Sequence, residues 1–174
     1  MASKQKPQTV TENDPKHYRL RVGYAKLGIK SLEEKFPDKD SVLRLFDGRL
    51  WERHSTCAAI DETPGDREFR VAEIPAKFLG NQRTDKILDA LSDHFDLEGF
   101  RFAIEIEAIE FADALPNFSY ENWIYAFGSS AAYDDGFRCV AVLGEGDRDR
   151  ILKDFWVGGY LDDNDRLLLV RKQC

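Results

Sequence analysis

Glu52, His54 and Cys57 lie within six residues of one another and are the residue types of an activated thiol. A histidine can take the thiol proton, and a carboxylate can orient the histidine. Two features oppose that chemistry. Cys57 belongs to the apolar run Thr56 to Ile60, where a cysteine normally acts as an inert small hydrophobe. Neighbouring strand residues also point to opposite faces, so spacing alone does not bring the three side chains together. The other histidines suggest less. His94 falls late in a predicted helix, where the dipole favours it, and His17 ends a polar arm.

Glu105, Glu107 and Glu110 are a second set. Paired acids on a concave sheet can act as acid and base on a glycoside. Their alternation with apolar residues reads more simply as the solvent face of an antiparallel strand. Oxygen ligands for calcium are suggested by Glu145–Asp149 and Asp162–Asp165, but neither segment has the spacing or closing glutamate of an EF-hand. No histidine pair has metal-ligand spacing and no Cys-x-x-Cys occurs, so no metal is expected. Gly158-Gly159 and Gly144-x-Gly146 are not followed by a helix carrying Lys-Ser/Thr. A phosphate cradle is therefore absent and no cofactor is expected.

The aromatic segment 116–135 is the best binding signal. Phe118, Tyr120, Trp123, Tyr125, Phe127 and Tyr133 crowd among small polar residues, as they do on recognition surfaces. Tyr120 and Tyr133 are the expected anchors. Acidic Glu121, Asp134 and Asp135 flank them and favour a basic protein partner. Asp135-Gly136-Phe137-Arg138-Cys139-Val140 resembles the closing strand of the formylglycine-generating sulfatase-modifying domains. The resemblance covers six residues and implies no catalytic residue elsewhere in the chain.

The elements that would position these groups are mostly strands. Residues 1–16 read as a flexible arm and 17–174 as one globular domain. Tyr18 to Tyr24 alternate at strand period, and Ser31 to Phe36 suit a helical turn stopped by Pro37. Val42–Phe46 and Arg49–Arg53 around Asp47-Gly48 predict a hairpin, because Asp-Gly suits a type I′ turn. Thr56–Ile60 and Phe69–Ile74 predict a second pair. Ile87, Leu88, Leu91 and Phe95 form one stripe of a helix that Asn81 or Thr84 can cap, with Gly99 beyond its end. Phe100–Phe111 reads as a long strand, followed by strands near 123–127, 137–143, 151–160 and 167–170. The last is apolar at successive positions, which predicts cover on both faces.

These elements predict a β-dominated α+β fold. It would be a strongly bent antiparallel sheet or half-open barrel of about eight strands, with one main helix packed on it. Composition agrees: 43% of the 174 residues are hydrophobic and 33% are charged, as in a folded domain. The net charge of −7 is uneven, since the first 35 residues hold eight basic and four acidic residues. The acidic remainder disfavours nucleic acid except through the basic amino-terminal segment. No apolar run is long enough for a membrane span, and three scattered cysteines suit a reducing, cytoplasmic setting. The expected function is therefore a non-catalytic protein-binding module of the inhibitor, immunity-type or adaptor kind. The alternative is a small hydrolase-type enzyme using acidic residues or the Cys/His pair in a sheet cleft. The sequence favours the first and sets no oligomeric state.

Overall fold

The computed structural model describes residues 17–46, 50–146 and 149–173, together with the backbone of Gln8–Thr9. Most of the expected arm and the Asp47-Gly48 turn lie outside the described residues. The strands are β1 (Gln8–Thr9), β2 (His17–Val22), β3 (Trp51–Arg53), β4 (Gly65–Glu73), β5 (Phe100–Phe102), β6 (Ile124–Ala132), β7 (Arg138–Glu145), β8 (Arg150–Trp156) and β9 (Arg166–Arg171). The helices are α1 (Ile29–Lys35), α2 (Thr84–Asp96) and α3 (Glu105–Ala114). This is a β-dominated α+β fold with one open sheet, ordered β1-β2-β4-β9-β6-β7-β8. Apart from the two-residue β1, the described residues form eight strands, against about eight expected.

Every pairing is antiparallel except the short parallel contact of β6 with β9, where Ile124 and Tyr125 oppose Arg166 and Leu167. The second half of the same β9 edge pairs with β5, from Phe100↔Arg171 to Phe102↔Leu169. The sheet therefore splits there, and β3 pairs with the far half of β6. Leu167 and Leu169 face one core, and Leu168 and Val170 the other, so β9 is covered on both sides as its composition implied.

Helices explain the two cores. On one face, Ala108, Phe111 and Ala112 of α3 and Leu32 of α1 meet Val22, Phe69, Val71 and Leu143. On the other, Ile87, Leu91 and Phe95 of α2 meet Ala72, Ile74, Val140 and Val142. The expected α2 stripe is real, but its N-cap is Arg83 and no side chain caps it. Thr84 N and Asp85 N instead donate to the carbonyls of Gly159 and Val157, at 2.9 and 2.8 Å. Arg150 ties the other helices together. Its Nε donates to Lys35 O (2.8 Å) and its Nη1 to Ala112 O (2.6 Å), satisfying carbonyls at both C-terminal ends.

Three expected strands are corrected. Residues 100–111 are not one strand: β5 ends at Phe102 and α3 begins at Glu105. The segment is rich in Glu and Ala, good helix formers, and Ala108, Phe111, Ala112 and Leu115 recur at helical spacing. Val42–Phe46 is not half of a hairpin. Arg44–Phe46 makes a 3-10 turn, Val42 N bonds Leu152 O (2.9 Å), and Trp51–Arg53 pairs with β6. Ser55–Cys57 is likewise a 3-10 turn, because the His54 ring accepts from Thr56 N and closes it. No helix among the described residues is long and apolar enough to cross a membrane.

Candidate functional site

The split in the sheet is held by Gly128. Its N–H donates to Ala103 O and its carbonyl accepts from His54 N, both at 2.8 Å. A Cβ there would sit 2.6 Å from Ala103 O, so only glycine permits the approach. Just beyond, β6 and α3 diverge and bring Ser129 against Glu105. Ser129 Oγ accepts from Glu105 N (2.9 Å) and donates to Glu105 Oε2. Burial holds the Glu105 carboxyl above the usual carboxylate range. It lines a cavity of about 380 Å³ together with Arg53, Glu62, Trp51, Phe46 and residues of α1 and α3. Phe46 and Trp51 stack along its wall, with centroids 5.0 Å apart.

The three glutamates expected on a strand face instead divide among three tasks on α3. Glu110 accepts from Gly23 N at 2.8 Å. Glu107 is fully buried and forms a two-point ion pair with Arg101, at 2.8 and 2.7 Å. It also accepts from Ile104 N (2.9 Å) at the start of α3 and from the Tyr24 hydroxyl (2.8 Å). The Tyr24 hydroxyl in turn accepts from Arg67 Nε (3.0 Å). Burial and Glu107 push Tyr24 up to about 12. That web holds Tyr24 at φ 55°, which is uncommon outside glycine. Glu105 and Glu107 are therefore not a catalytic pair, since Glu107 is already committed to Arg101.

The structure does not assemble Glu52, His54 and Cys57. Glu52 points to Arg138, 3.1 Å away. His54 is engaged on both ring nitrogens, Nδ1 with the Thr56 hydroxyl at 2.7 Å and Nε2 with Asp89 at 3.2 Å. Cys57 is sealed, its thiol donates to Phe102 O (3.5 Å), and burial pushes its pKa up. Thr56 Oγ1 stands between the thiol (3.9 Å) and His54 Nδ1 (2.7 Å), and a sealed thiol of raised pKa is a poor nucleophile.

Comparison of the chain with protein-family models, curated proteins and solved structures finds no match. The reading of function therefore rests on the geometry.

The expected binding residues separate. Tyr120 is 8% exposed and packs on Phe118, with centroids 4.8 Å apart, so it cannot offer an anchor's contact area. Its hydroxyl has no hydrogen-bond partner among the described residues. Burial pushes Tyr120 far above the ordinary tyrosine range. Tyr133 is half-buried against Leu45, Ala131 and Cys139. Glu121, Asp134 and Asp135 are exposed. Asp135 accepts from Phe137 N (3.1 Å) in the turn that Gly136, at φ 87°, completes.

Two aromatic residues outside that segment are more available. Phe137 is 55% exposed and Trp156 43%, and their rings meet edge to face at 5.7 Å. Register places Trp51, Ala131, Cys139 and Trp156 in one row across β3, β6, β7 and β8. The sequence signal for Trp156 was its place in the same run as buried Ile151 and Leu152, which reads as core. Only the pairing with β7 shows that it ends at the rim.

The acidic tips do turn chemistry. Asp162 accepts from Asn164 N (2.8 Å) and Asp165 from Asp162 N (3.0 Å), while buried Asp165 also bonds Tyr125. Among the described residues no three acidic, histidine or cysteine side chains group to hold a metal. Residues 147 and 148 of the other tip lie outside those described. The basic strand β2 is answered within the fold: Arg19 lies 4.0 Å from Asp66 and His17 3.5 Å from Glu68.

Proposed function

We propose that this chain is a non-catalytic protein-binding module, of the inhibitor, immunity-type or adaptor kind, that receives a basic partner on the β6–β7 turn and the end of β8. The observation that carries this reading is the exposed Phe137–Trp156 pair beside exposed Asp134 and Asp135. Aromatic anchors with a charged rim supply contact area and steering together. The support is geometric. β7 and β8 pair from Cys139↔Trp156 to Glu145↔Arg150, the two rings brace one another edge to face, and the Arg83 guanidinium stacks over Trp156 at 5.5 Å, so little ordering entropy is lost on binding. The net charge of −7 favours a cationic partner over nucleic acid. Buried Cys57 and Cys139 suit a reducing, cytoplasmic setting. The hydrolase alternative has less support, because Cys57 is sealed and His54 is engaged by Thr56 and Asp89.

The test compares wild type with Phe137→Ala/Trp156→Ala as baits in lysate of the source cell. A protein with a basic surface should be retained by wild type and lost with the variant and with added salt. Equal capture by both baits, with the variant folded, rejects this face.

A further inference from the structure

The cavity beside Glu105 is separate from the aromatic face. Its wall is apolar: the stacked rings of Phe46 and Trp51, with Leu32 and Ile109 behind. Its inner end is charged. Arg53 forms an ion pair with Glu62; its charge still reaches Glu105, but no described cation stands within ion-pair distance of the Glu105 carboxyl. Among the described residues Ser129 is the only side chain that hydrogen-bonds the Glu105 carboxyl. Lys26 stands on the rim and is exposed, so solvent screens it. The positive end of α3 is answered by Glu105 and Glu107 in its own first turn. An occupant that fits is a cationic head on an apolar stem: the stem lies along the rings and the head meets Glu105. Such heads are also attracted to aromatic faces.

Position adds the source of that head. Trp51 ends the row that begins at Trp156, three strand spacings away. At about 4.8 Å per spacing, the two tryptophans are roughly 14 Å apart. Ala131 and Cys139 between them are buried under Leu45, Phe46 and Tyr133, so a partner segment seated on Phe137 and Trp156 reaches Trp51 by crossing over that cluster, with about five or more extended residues. We infer that the cavity bounded by Trp51, Ile109 and Glu105 takes a lysine or arginine side chain of the basic partner. This rests on the binding reading above and names what the partner must present.

The experiment uses residue analogues, so it does not depend on knowing the partner. Acetyl-lysine and acetyl-arginine methylamides are titrated into the full chain, with the norleucine and glutamate analogues as controls. The Trp51 indole N–H and the Ile109 methyl resonances are read by NMR. The inference expects saturable shifts with the two cationic analogues only. Glu105→Gln should weaken them at least about tenfold, since a hydrogen bond to a charged group is commonly worth that much. Phe137→Ala/Trp156→Ala should leave them unchanged. Equal binding of norleucine or glutamate, or no effect of Glu105→Gln, overturns the inference. A free alkylamine that binds as well as a lysine-bearing peptide would make this a small-amine site and overturn the assignment to a partner. If a cationic peptide shifts Phe137 and Trp156 but never Trp51, the cavity inference falls while the face stands.

Discussion

Arg101→Met should be among the most damaging single changes to this fold. It removes both hydrogen bonds that Glu107 receives from the guanidinium, at 2.8 and 2.7 Å, and leaves a carboxylate with no exposure to water. Breaking a buried ion pair from one side costs about 3–5 kcal/mol. Ile104 N and the Tyr24 hydroxyl still donate to Glu107, so the lower half of that range is expected. For a domain of this size each kcal/mol lowers the melting midpoint by about 2–4 °C, so the midpoint should fall by roughly 6–16 °C. Urea titration followed by circular dichroism measures the loss directly. Adding Glu107→Gln should return at least half of it, because the amide keeps an acceptor for Ile104 N without a charge to bury. A loss below about 1 kcal/mol, or no recovery in the double variant, would refute the claim that this pair anchors the start of α3.

Three further outcomes are expected. Leu91→Ala, at the centre of the α2 stripe, should lower stability by about 2–5 kcal/mol, and an unchanged urea midpoint would contradict its burial in the core that α2 shares with β5. Cys57 should resist alkylation in the native protein and react only after unfolding, as peptide mass mapping can show; prompt native labelling would reopen the thiol reading. Glu105 binds its proton more tightly in the folded chain, so the stabilisation it contributes at low pH is lost as pH rises from the ordinary carboxylate range through its raised value. Arg53, Glu62, Glu107 and Lys26 surround it, yet only the Glu105→Gln variant should flatten that part of the stability–pH curve; parallel curves would contradict the burial argument.

Much of the fold was legible because some residues answer to a single constraint. The α2 stripe has helical period alone, and the successive leucines of β9 fit only a strand covered on both faces. Residues 100–111 were ambiguous, because their alternation from Phe102 to Ala108 matches a strand while Ala108, Phe111 and Ala112 match a helix. Tertiary contact decided it: Glu107 turns inward to meet Arg101, which no local pattern reveals. The Asp-Gly hairpin failed for a similar reason, since β6 competes for Trp51–Arg53. The candidate site was less legible still. Tyr120 and Trp156 are both aromatic residues in mixed surroundings, and only long-range pairing makes one core and the other rim. Asp134 and Asp135 were readable because adjacent carboxylates are seldom buried unpaired.

The central claim is that Phe137 and Trp156, rimmed by Asp134 and Asp135, receive a basic partner. It is tested most directly by mapping amide and indole shifts while a peptide alternating lysine and leucine is added, beside its glutamate counterpart, at two salt concentrations. The account predicts saturable shifts centred on residues 133–137 and 156 for the lysine peptide alone. They should weaken with salt and be lost in Phe137→Ala/Trp156→Ala. Shifts spread evenly over the acidic surface, or undiminished in that variant, would contradict it.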